Sequence, residues 1–387
     1  MKSKIPRLYR VLIFGLLFTV NISVAAANWG YGYNDLLNDL VSWNASPWVT
    51  VDSIGASVQN RALWELTITD TTPPSVPRHT VYIHTRTHPN EFQSFRVTEQ
   101  IIAQLIADDP FARLLRRQCT FYIIPMYNPD GVELGYDRQN ANGIDIESNW
   151  ADVPLQPEPA ALKKRFEELM SSDAPIEIAL NMHSAYAATQ RYFVFHHANG
   201  TSAVYAQMEQ AFIAAVQGYF PSGIASWDHT VTWTSITPDY YPESWFWLNH
   251  GAAVLALTYE DMNNAAAGMY DSSANAILHG IGDYLGLEET GGVVATTLLP
   301  ELFSLRQNYP NPFNPSTRID YELKMTGHIT MRIYDLLGRP VAMLVDVVQG
   351  PGLKSVIWYA GDQPAGVYIC RLSSGRYGAT CKMTIIK

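Results

Sequence analysis

Positive charge is scarce in the larger part of this 387-residue chain. Residues 28–300 carry 12 Lys and Arg against 30 Asp and Glu, a net charge of −18, whereas residues 301–387 carry 10 against 6. Proteins that bind nucleic acid need clustered basic side chains to neutralise phosphates. We therefore expect no nucleic-acid partner for the acidic segment, which favours neutral or cationic substrates over anionic ones.

Cysteine is equally scarce, because the chain contains only Cys119, Cys370 and Cys381. Three cysteines are too few for a disulfide scaffold. Cys119 lies in an apolar run and is expected to be a buried thiol. Cys370 and Cys381 flank a turn predicted near residues 375–376, so they can face each other across a hairpin. A disulfide between them is compatible with an exported protein, and their bonding state stays open.

Long apolar runs are missing after the amino terminus. Residues 1–10 carry basic and no acidic side chains, residues 11–20 are mostly apolar, and residues 25–27 are alanines. This pattern predicts a cleaved secretory signal over residues 1–27. The alternative is a membrane anchor, but the run falls short of the about 20 apolar residues that a spanning helix needs. The mature chain is thus predicted to lack a transmembrane segment and to be secreted or held at the cell surface.

Strand-like and helix-like segments alternate between residues 28 and 290. Apolar runs typical of buried strands lie at residues 80–83, 119–124, 176–182 and 252–259, and segments with helical spacing lie at residues 91–109, 159–171, 202–219 and 273–285. This alternation predicts an α/β domain over residues 28–290, with a mixed, largely parallel sheet and helices on both faces. Ligands of such sheets bind beyond the carboxyl ends of the strands.

Side chains capable of metal chemistry follow three of these predicted strands. His88 and Glu91 lie just after the first strand, His183 ends a second and Glu260 ends a third. Because the carboxyl ends of parallel strands meet at one edge of a sheet, we expect these side chains to lie close together. Imidazole nitrogen and carboxylate oxygen are ligands of zinc, and a catalytic zinc usually has three protein ligands and one open position.

Five motifs, in this order along the chain, resemble those of the zinc metallocarboxypeptidases, the family of carboxypeptidase A. The first is nearest to the cytosolic-carboxypeptidase branch, in which a glycine stands where this chain has Asn90. The motifs are Arg-Thr-His-Pro-Asn-Glu at 86–91, Asn-Pro-Asp-Gly at 128–131, an arginine-bearing loop at 138–145, His-Ser at 183–184 and Thr-Tyr-Glu at 258–260.

The resemblance implies a zinc metallopeptidase with one Zn²⁺ per chain, acting on a peptide or protein substrate. By this resemblance His88, Glu91 and His183 hold the metal, Glu260 is the general base, and Arg138 polarises the scissile carbonyl and stabilises the oxyanion. The residue types suit these roles. Zinc activates a bound water, a carboxylate accepts its proton, and an arginine remains charged beside a developing alkoxide.

The substrate-binding segment departs from the family pattern. The family typically has Asp-x-Asn-Arg-Asn-aromatic, in which the Asn-Arg pair grips the terminal carboxylate of the substrate, whereas residues 145–150 read Asp-Ile-Glu-Ser-Asn-Trp. Glu147 and Ser148 therefore occupy the substrate-binding positions, and Tyr241 is the candidate for the tyrosine that covers the substrate. Two alternatives stay open: a zinc amidohydrolase acting on an N-acyl amino acid or cell-wall peptide, and an inactive surface-binding module.

The carboxyl-terminal part predicts a second domain. Residues 291–302 form a linker rich in small residues, and residues 303–387 show strand alternation with recurring turns, the pattern of a small all-β sandwich. Segments 333–339 and 366–368 resemble the sorting domain of type IX secretion substrates. That resemblance implies the outer-membrane secretion machinery as a partner. A generic carbohydrate-binding sandwich is the alternative.

Overall fold

The computed structural model describes residues 30–72, 78–287, 303–324, 327–335, 339–361, 363–374 and 377–386. The predicted signal at residues 1–27 and the linker at residues 291–302 lie outside these ranges. Among the described residues, no helix combines the length and the apolar character that crossing a membrane requires.

A mixed sheet of eight strands organises residues 30–287. Its strand order is β1-β2-β4-β3-β5-β8-β6-β7, and the central strands β4, β3, β5 and β8 run parallel to one another. The strands are β1 (Val49–Ala56), β2 (Ala62–Ile68), β3 (His79–Thr85), β4 (Cys119–Ile124), β5 (Ile176–Ala185), β6 (Tyr192–His196), β7 (Thr230–Thr232) and β8 (Leu255–Met262). The predicted α/β class with a largely parallel sheet is confirmed.

Helices cover both faces of this sheet. They are α1 (Tyr33–Asn44), α2 (Phe92–Ile106), α3 (Pro110–Gln118), α4 (Pro129–Leu134), α5 (Pro157–Met170), α6 (Ala203–Tyr219), α7 (Pro242–His250) and α8 (Tyr270–Leu285). Val81 and Ile83 of β3 face the apolar layer that contains α2, α6 and α8, while Tyr82 faces the layer that contains Phe166 of α5 and Phe246 of α7. Successive strand side chains alternate between faces, so a strand buried on both sides must be apolar almost throughout.

The helix boundaries near residues 109 and 128 differ from the sequence prediction. The helix expected over 91–109 ends at Ile106, and α3 begins after Asp109, whose carboxylate accepts a hydrogen bond from the Ala112 backbone at 2.9 Å. The turn expected over 125–131 continues into α4, because the Asn128 side chain accepts a bond from the Gly131 backbone at 3.0 Å. Capping side chains of this kind satisfy the first amides of a helix and fix its start.

Residues 303–386 contain two antiparallel sheets with one apolar core between them. One sheet has the order β13-β10-β9 and the other has the order β12-β11-β14-β15. Their strands are β9 (Phe303–Leu305), β10 (Ser316–Leu323), β11 (Gly327–Tyr334), β12 (Pro340–Gln349), β13 (Gly352–Tyr359), β14 (Gly366–Ser374) and β15 (Tyr377–Ile385). Ile319 and Trp358 of the first sheet share their core with Met331, Leu372 and Met383 of the second, and the predicted all-β sandwich is confirmed.

Candidate metal centre and active site

Three neighbouring parallel strands bring the candidate residues to one edge of the large sheet. β3 ends at Thr85, and the turn that follows carries His88 and Glu91 to the start of α2. His183 and Glu260 lie inside β5 and β8 rather than beyond them, and they pair directly in the register of these strands. Residues separated by more than 170 positions in sequence are thus gathered at this edge.

Glu91 lies between the two histidines. Its Oε1 is 2.7 Å from Nδ1 of His88, its Oε2 is 2.7 Å from Nδ1 of His183, and the two Nδ1 atoms are 3.2 Å apart. Ligand atoms bound about 2.0–2.1 Å from one tetrahedral zinc lie roughly 3.3 Å apart. The three residues are at most 7% exposed. Their spacing, burial and chemical types therefore fit a zinc ion held by His88, Glu91 and His183.

A second carboxylate, Glu147, approaches the opposite nitrogens of the same rings. Its Oε2 lies 3.2 Å from Nε2 of His88, and its Oε1 lies 3.6 Å from Nε2 of His183. Ligand atoms of these three residues lie within 4.8 Å of one another, so they form a second possible metal-binding set. Asp145 Oδ1 also lies 3.2 Å from Nε2 of His88, where it can fix the orientation of the ring.

The charges of these groups stabilise one another. Burial alone would lower the pKa of His183, but Glu91 and Glu147 raise it to about 9. Burial alone would raise the pKa of Glu91, but His183 and His88 hold it well below its usual range. The positive charge of the protonated imidazoles thus balances the negative charge of the carboxylates at the place where a metal cation would bind. Metal binding to such a site displaces protons.

Glu260 is a partly buried acid next to these groups. Burial, together with the charges of Glu91 and Glu147, raises the pKa of Glu260 to about 8. Its Oε2 is buried and has no hydrogen-bond partner among the residues that the structure describes. A carboxyl with an open oxygen and a raised pKa can exchange a proton near neutral pH, as a general base requires.

Arg138 lies on the loop beside the metal-binding side chains. Its Nε donates to Asp145 Oδ2 at 2.9 Å, and its Nη2 donates to Glu147 Oε2 at 3.0 Å. The side chain is 48% exposed. Glu147 therefore binds the candidate oxyanion-stabilising arginine as well as approaching the histidines, a pairing that the sequence pattern did not reveal.

The other two candidate substrate-binding residues lie near the rim. Ser148 is exposed, next to Glu147 in the chain. Tyr241 immediately precedes α7 and packs against Tyr240, with ring centroids 4.5 Å apart. Burial, followed by the charge of Glu147, raises the pKa of Tyr241 to about 12. Tyr241 and Glu147 thus lie on the same side of the site.

Two nearby arginines are not placed to replace the Asn-Arg pair with which the family typically binds the terminal carboxylate of the substrate. Arg191 is 3% exposed and donates from Nε to Asp261 Oδ2 at 3.0 Å. Arg86 is fully buried, with its guanidinium 5.4 Å from the centre of the Phe92 ring. Neither side chain presents a cation at the surface of the site, so the altered segment at Glu147 is left without a cationic substitute from these two residues.

A mixed sheet with buried histidines and a carboxylate at its carboxyl edge offers the ligand set of a metal site. Comparison with known families makes the class specific: residues 37–272 match the family described as zinc carboxypeptidase. The chain belongs to the zinc carboxypeptidase family. Residues 307–387 match the family described as secretion system C-terminal sorting domain. Both resemblances in the sequence are confirmed.

Curated relatives agree on the branch. Cytosolic carboxypeptidase 6 of Mus musculus is 40% identical over 103 residues, which are 26% of this chain and 19% of that protein. The Homo sapiens protein of the same name is 41% identical over 103 residues, covering 26% and 20%. The chain spans about a fifth of the length of these relatives.

Solved structures agree on the fold. The metallo-carboxypeptidase from Burkholderia cenocepacia has a TM-score of 0.56 and 21% identity, covering 66% of this chain and 69% of that chain. The metallo-carboxypeptidase from Pseudomonas aeruginosa has a TM-score of 0.56 and 17% identity, with coverage of 66% and 69%. At these identities the likeness concerns the architecture of the large sheet and its helices.

Proposed function

We propose that this protein is an exported zinc-dependent peptidase that hydrolyses amide bonds. The observation that carries the proposal is the convergence of His88 Nδ1, His183 Nδ1 and the Glu91 carboxylate, with 2.7 Å contacts and a 3.2 Å separation of the two nitrogens. Zinc bound to these atoms would lower the pKa of a water and polarise the scissile carbonyl. The family membership of residues 37–272 supports this choice of metal.

The surrounding side chains supply the remaining functions of an amide hydrolase. Glu260 accepts a proton from the attacking water and passes it to the leaving amine. Arg138 stabilises the negative charge that develops on the carbonyl oxygen, since a guanidinium stays charged throughout. Its side chain is half exposed and linked to Asp145 and Glu147 by ion pairs, so it can turn towards a substrate.

We infer the substrate class from the negative charge of Glu147, which occupies a position of the family's Asn-Arg pair. A free terminal carboxylate next to Glu147 would meet a like charge, which the ion pair with Arg138 at 3.0 Å offsets only in part. At an effective dielectric of about 20, two unit charges about 4 Å apart interact by about 4 kcal/mol. We therefore infer that peptides presenting an amide or an amine at this position are preferred. A cell-wall peptide that presents an amide or an amine there would satisfy the same requirement, whereas an N-acyl amino acid carries a free carboxylate.

Export follows from the two ends of the chain. Residues 1–27 would direct the protein out of the cytosol, and residues 303–387 would engage the outer-membrane secretion machinery that delivers it to the surface or the medium. The sorting-domain match over residues 307–387 supports this route. A binding module without activity is the less favoured alternative, because the zinc-binding set, Glu260 and Arg138 are all retained.

Chelation and reconstitution test the proposed activity. The full chain, stripped of metal and then reloaded with Zn²⁺, is assayed on a mixed peptide library with free and amidated ends. Hydrolysis should vanish on chelation and return with Zn²⁺. Undiminished hydrolysis by the stripped protein would rule out the proposed function.

A further inference from the structure

Asn90 joins three segments of the chain at the edge of the candidate site. Its Nδ2 atom donates to the Tyr186 hydroxyl at 2.8 Å, and its backbone carbonyl accepts a bond from Asn263 Nδ2 at 3.3 Å. Its backbone amide donates to the carbonyl of Asp137 at 3.5 Å. Asp137 lies directly before the arginine-bearing loop, Tyr186 follows β5 and Asn263 follows β8. One side chain and its backbone thus link the three segments.

Asp137 sets the orientation of the Asn90 amide. The Asn90 Nδ2 atom lies 3.4 Å from Asp137 Oδ1, and a carboxylate oxygen accepts hydrogen bonds. The nitrogen of the amide, and not its oxygen, therefore faces both Asp137 and Tyr186, so the phenol oxygen accepts the bond from Asn90. The structure shows no acceptor for the phenol proton among the residues that it describes. The Tyr186 hydroxyl can therefore donate a hydrogen bond to a bound molecule.

Tyr186 is held in place although it is 61% exposed. Asn264 Nδ2 donates to the backbone carbonyl of Tyr186 at 3.3 Å and to that of Ala188 at 2.8 Å. The residue is thus fixed at its backbone as well as at its hydroxyl. A ring that is already held loses little conformational freedom when a ligand binds. It also offers a large apolar face and a polar tip to that ligand.

The ring lies beside the proposed zinc ligands in the chain. Tyr186 is the third residue after His183, and the Asn90 that contacts its hydroxyl directly precedes Glu91. An extended peptide spans about 3.3–3.6 Å per residue. A substrate whose scissile carbonyl lies at the metal therefore brings its neighbouring residues to the edge on which Tyr186 lies.

We propose that Tyr186 is a substrate-binding residue of this peptidase and that Asn90 is the positioning residue that holds it. The inference rests on the proposed peptidase function and adds a preference for extended peptides to it. The Tyr186 hydroxyl donates to a main-chain carbonyl of the substrate near the scissile bond, and its ring packs against the adjoining side chain. A chain with glycine at position 90, as in the cytosolic-carboxypeptidase branch, has no side chain to form this contact.

Three blocked peptides test the contact with the zinc-loaded full chain. The short peptide has one residue on each side of the scissile bond, and the other two add two alanines at its amino or at its carboxyl end. Values of kcat and KM are measured for each. The wild type should show a KM about two- to tenfold lower for one of the extended peptides, the range expected for one added hydrogen bond. Equal KM values for all three peptides would overturn the inference.

A conservative substitution assigns the preference to the phenol hydroxyl. Tyr186→Phe keeps the ring, so the KM of the favoured extended peptide should rise about two- to tenfold while its kcat and the KM of the short peptide stay unchanged. A general loosening of the site would not produce this split. Tyr219→Phe is the matched control, because it removes an exposed phenol that bonds Asp283 between α6 and α8. It should leave all three KM values unchanged.

A double-mutant cycle tests the positioning role of Asn90. Asn90→Ala removes the amide and should raise the KM of the same extended peptide. Because both residues act through one hydrogen bond, the doubly substituted chain should be no worse than the poorer single variant. Asn90→Gly replaces Asn90→Ala if the latter loses zinc. Additive effects on KM, or loss of zinc from both variants, would overturn the positioning role.

Two results with Tyr186→Phe overturn the substrate contact. One is an unchanged KM for every peptide, and the other is an equal loss of kcat for all three, which indicates a structural effect. If the zinc-loaded wild type cleaves no peptide at all, the proposed function has failed instead. Calorimetric titration with the extended peptides then decides: weaker binding to Tyr186→Phe than to the wild type supports the contact, and equal binding overturns it.

Discussion

The carboxylate of Glu147 lies 3.2 Å from Nε2 of His88, on the side of the ring opposite to the 2.7 Å contact between Glu91 and Nδ1. An imidazole that binds a metal through one nitrogen normally gives the other to a hydrogen bond. The two carboxylates therefore define two exclusive arrangements of a metal. The 3.2 Å separation of the two Nδ1 atoms favours the arrangement with Glu91. Glu147 then lies beside the Nε2 atoms, on the side of the two rings that faces away from the metal.

Substitution of each carboxylate distinguishes these arrangements. Glu91→Gln should lose zinc, as should His88→Ala and His183→Ala, because each removes a proposed ligand. Glu147→Gln should retain about one zinc per chain. Metal content is measured by mass spectrometry after dialysis against a weak chelator. Loss of zinc from Glu147→Gln alone would place the metal on the Nε2 side.

Glu260→Gln should bind zinc and fold normally but lose most of its turnover. The amide cannot accept the proton of the attacking water, and positioned acid–base catalysis contributes typically about 10²–10⁴-fold. Glu168→Gln, on the exposed side of α5, serves as the matched control. Wild-type kcat in Glu260→Gln would exclude Glu260 as the base.

The double substitution Glu147→Asn with Ser148→Arg should restore a clamp for a terminal carboxylate. It removes a negative charge and adds a positive one, and a change of about 1.4 kcal/mol in binding is already tenfold. Ser148 is exposed, so the larger side chain has room. Peptides with free and amidated ends are compared in both proteins. A wild type that strongly prefers free carboxylates contradicts the substrate proposal.

Removal of residues 303–387 should leave an active enzyme that is retained inside the outer membrane of its native host. The apolar core of the large sheet is formed almost entirely by residues 31–287, so the truncated protein should fold. Fractionation of cells expressing the intact and the truncated chain measures the effect. Normal surface delivery of the truncated chain would contradict the sorting role.

Cys370 and Cys381 are free thiols in the structure, and we predict that they form a disulfide in the exported protein. They lie directly opposite each other in β14 and β15, and both are buried. Directly opposite antiparallel residues have Cα atoms about 4.5–5.5 Å apart, within the range that a disulfide spans. Alkylation of unfolded, non-reduced protein should then modify Cys119 alone. Labelling of all cysteines would show that the pair remains reduced.

The sequence predicts the central strands and the candidate residues at their ends. It predicts less well the helix α7 and the loop of Glu147, which flank the candidate site. The apolar run at Cys119–Ile124 corresponds to β4 without change of bounds, because a strand buried on both faces must be apolar throughout. Helix α7 was not predicted, since the segment Pro242–His250 mixes polar and aromatic residues without a clear helical period. The contact between Glu147 and His88 depends on how a loop folds back. Loops have no periodic pattern of apolar residues from which such a contact could be predicted.

The register between β5 and β8 affects how such an enzyme can diversify. His183 pairs with Glu260, and Asn181 pairs with Thr258 two residues earlier, so hydrolytic residues and the polar layer below them occupy separate positions on the same strands. Mutations at Asn181 and Thr258 can therefore accumulate while the pairing of His183 with Glu260 is preserved. After gene duplication, sister proteins could diverge in this lower layer and keep the same paired residues at the edge of the sheet.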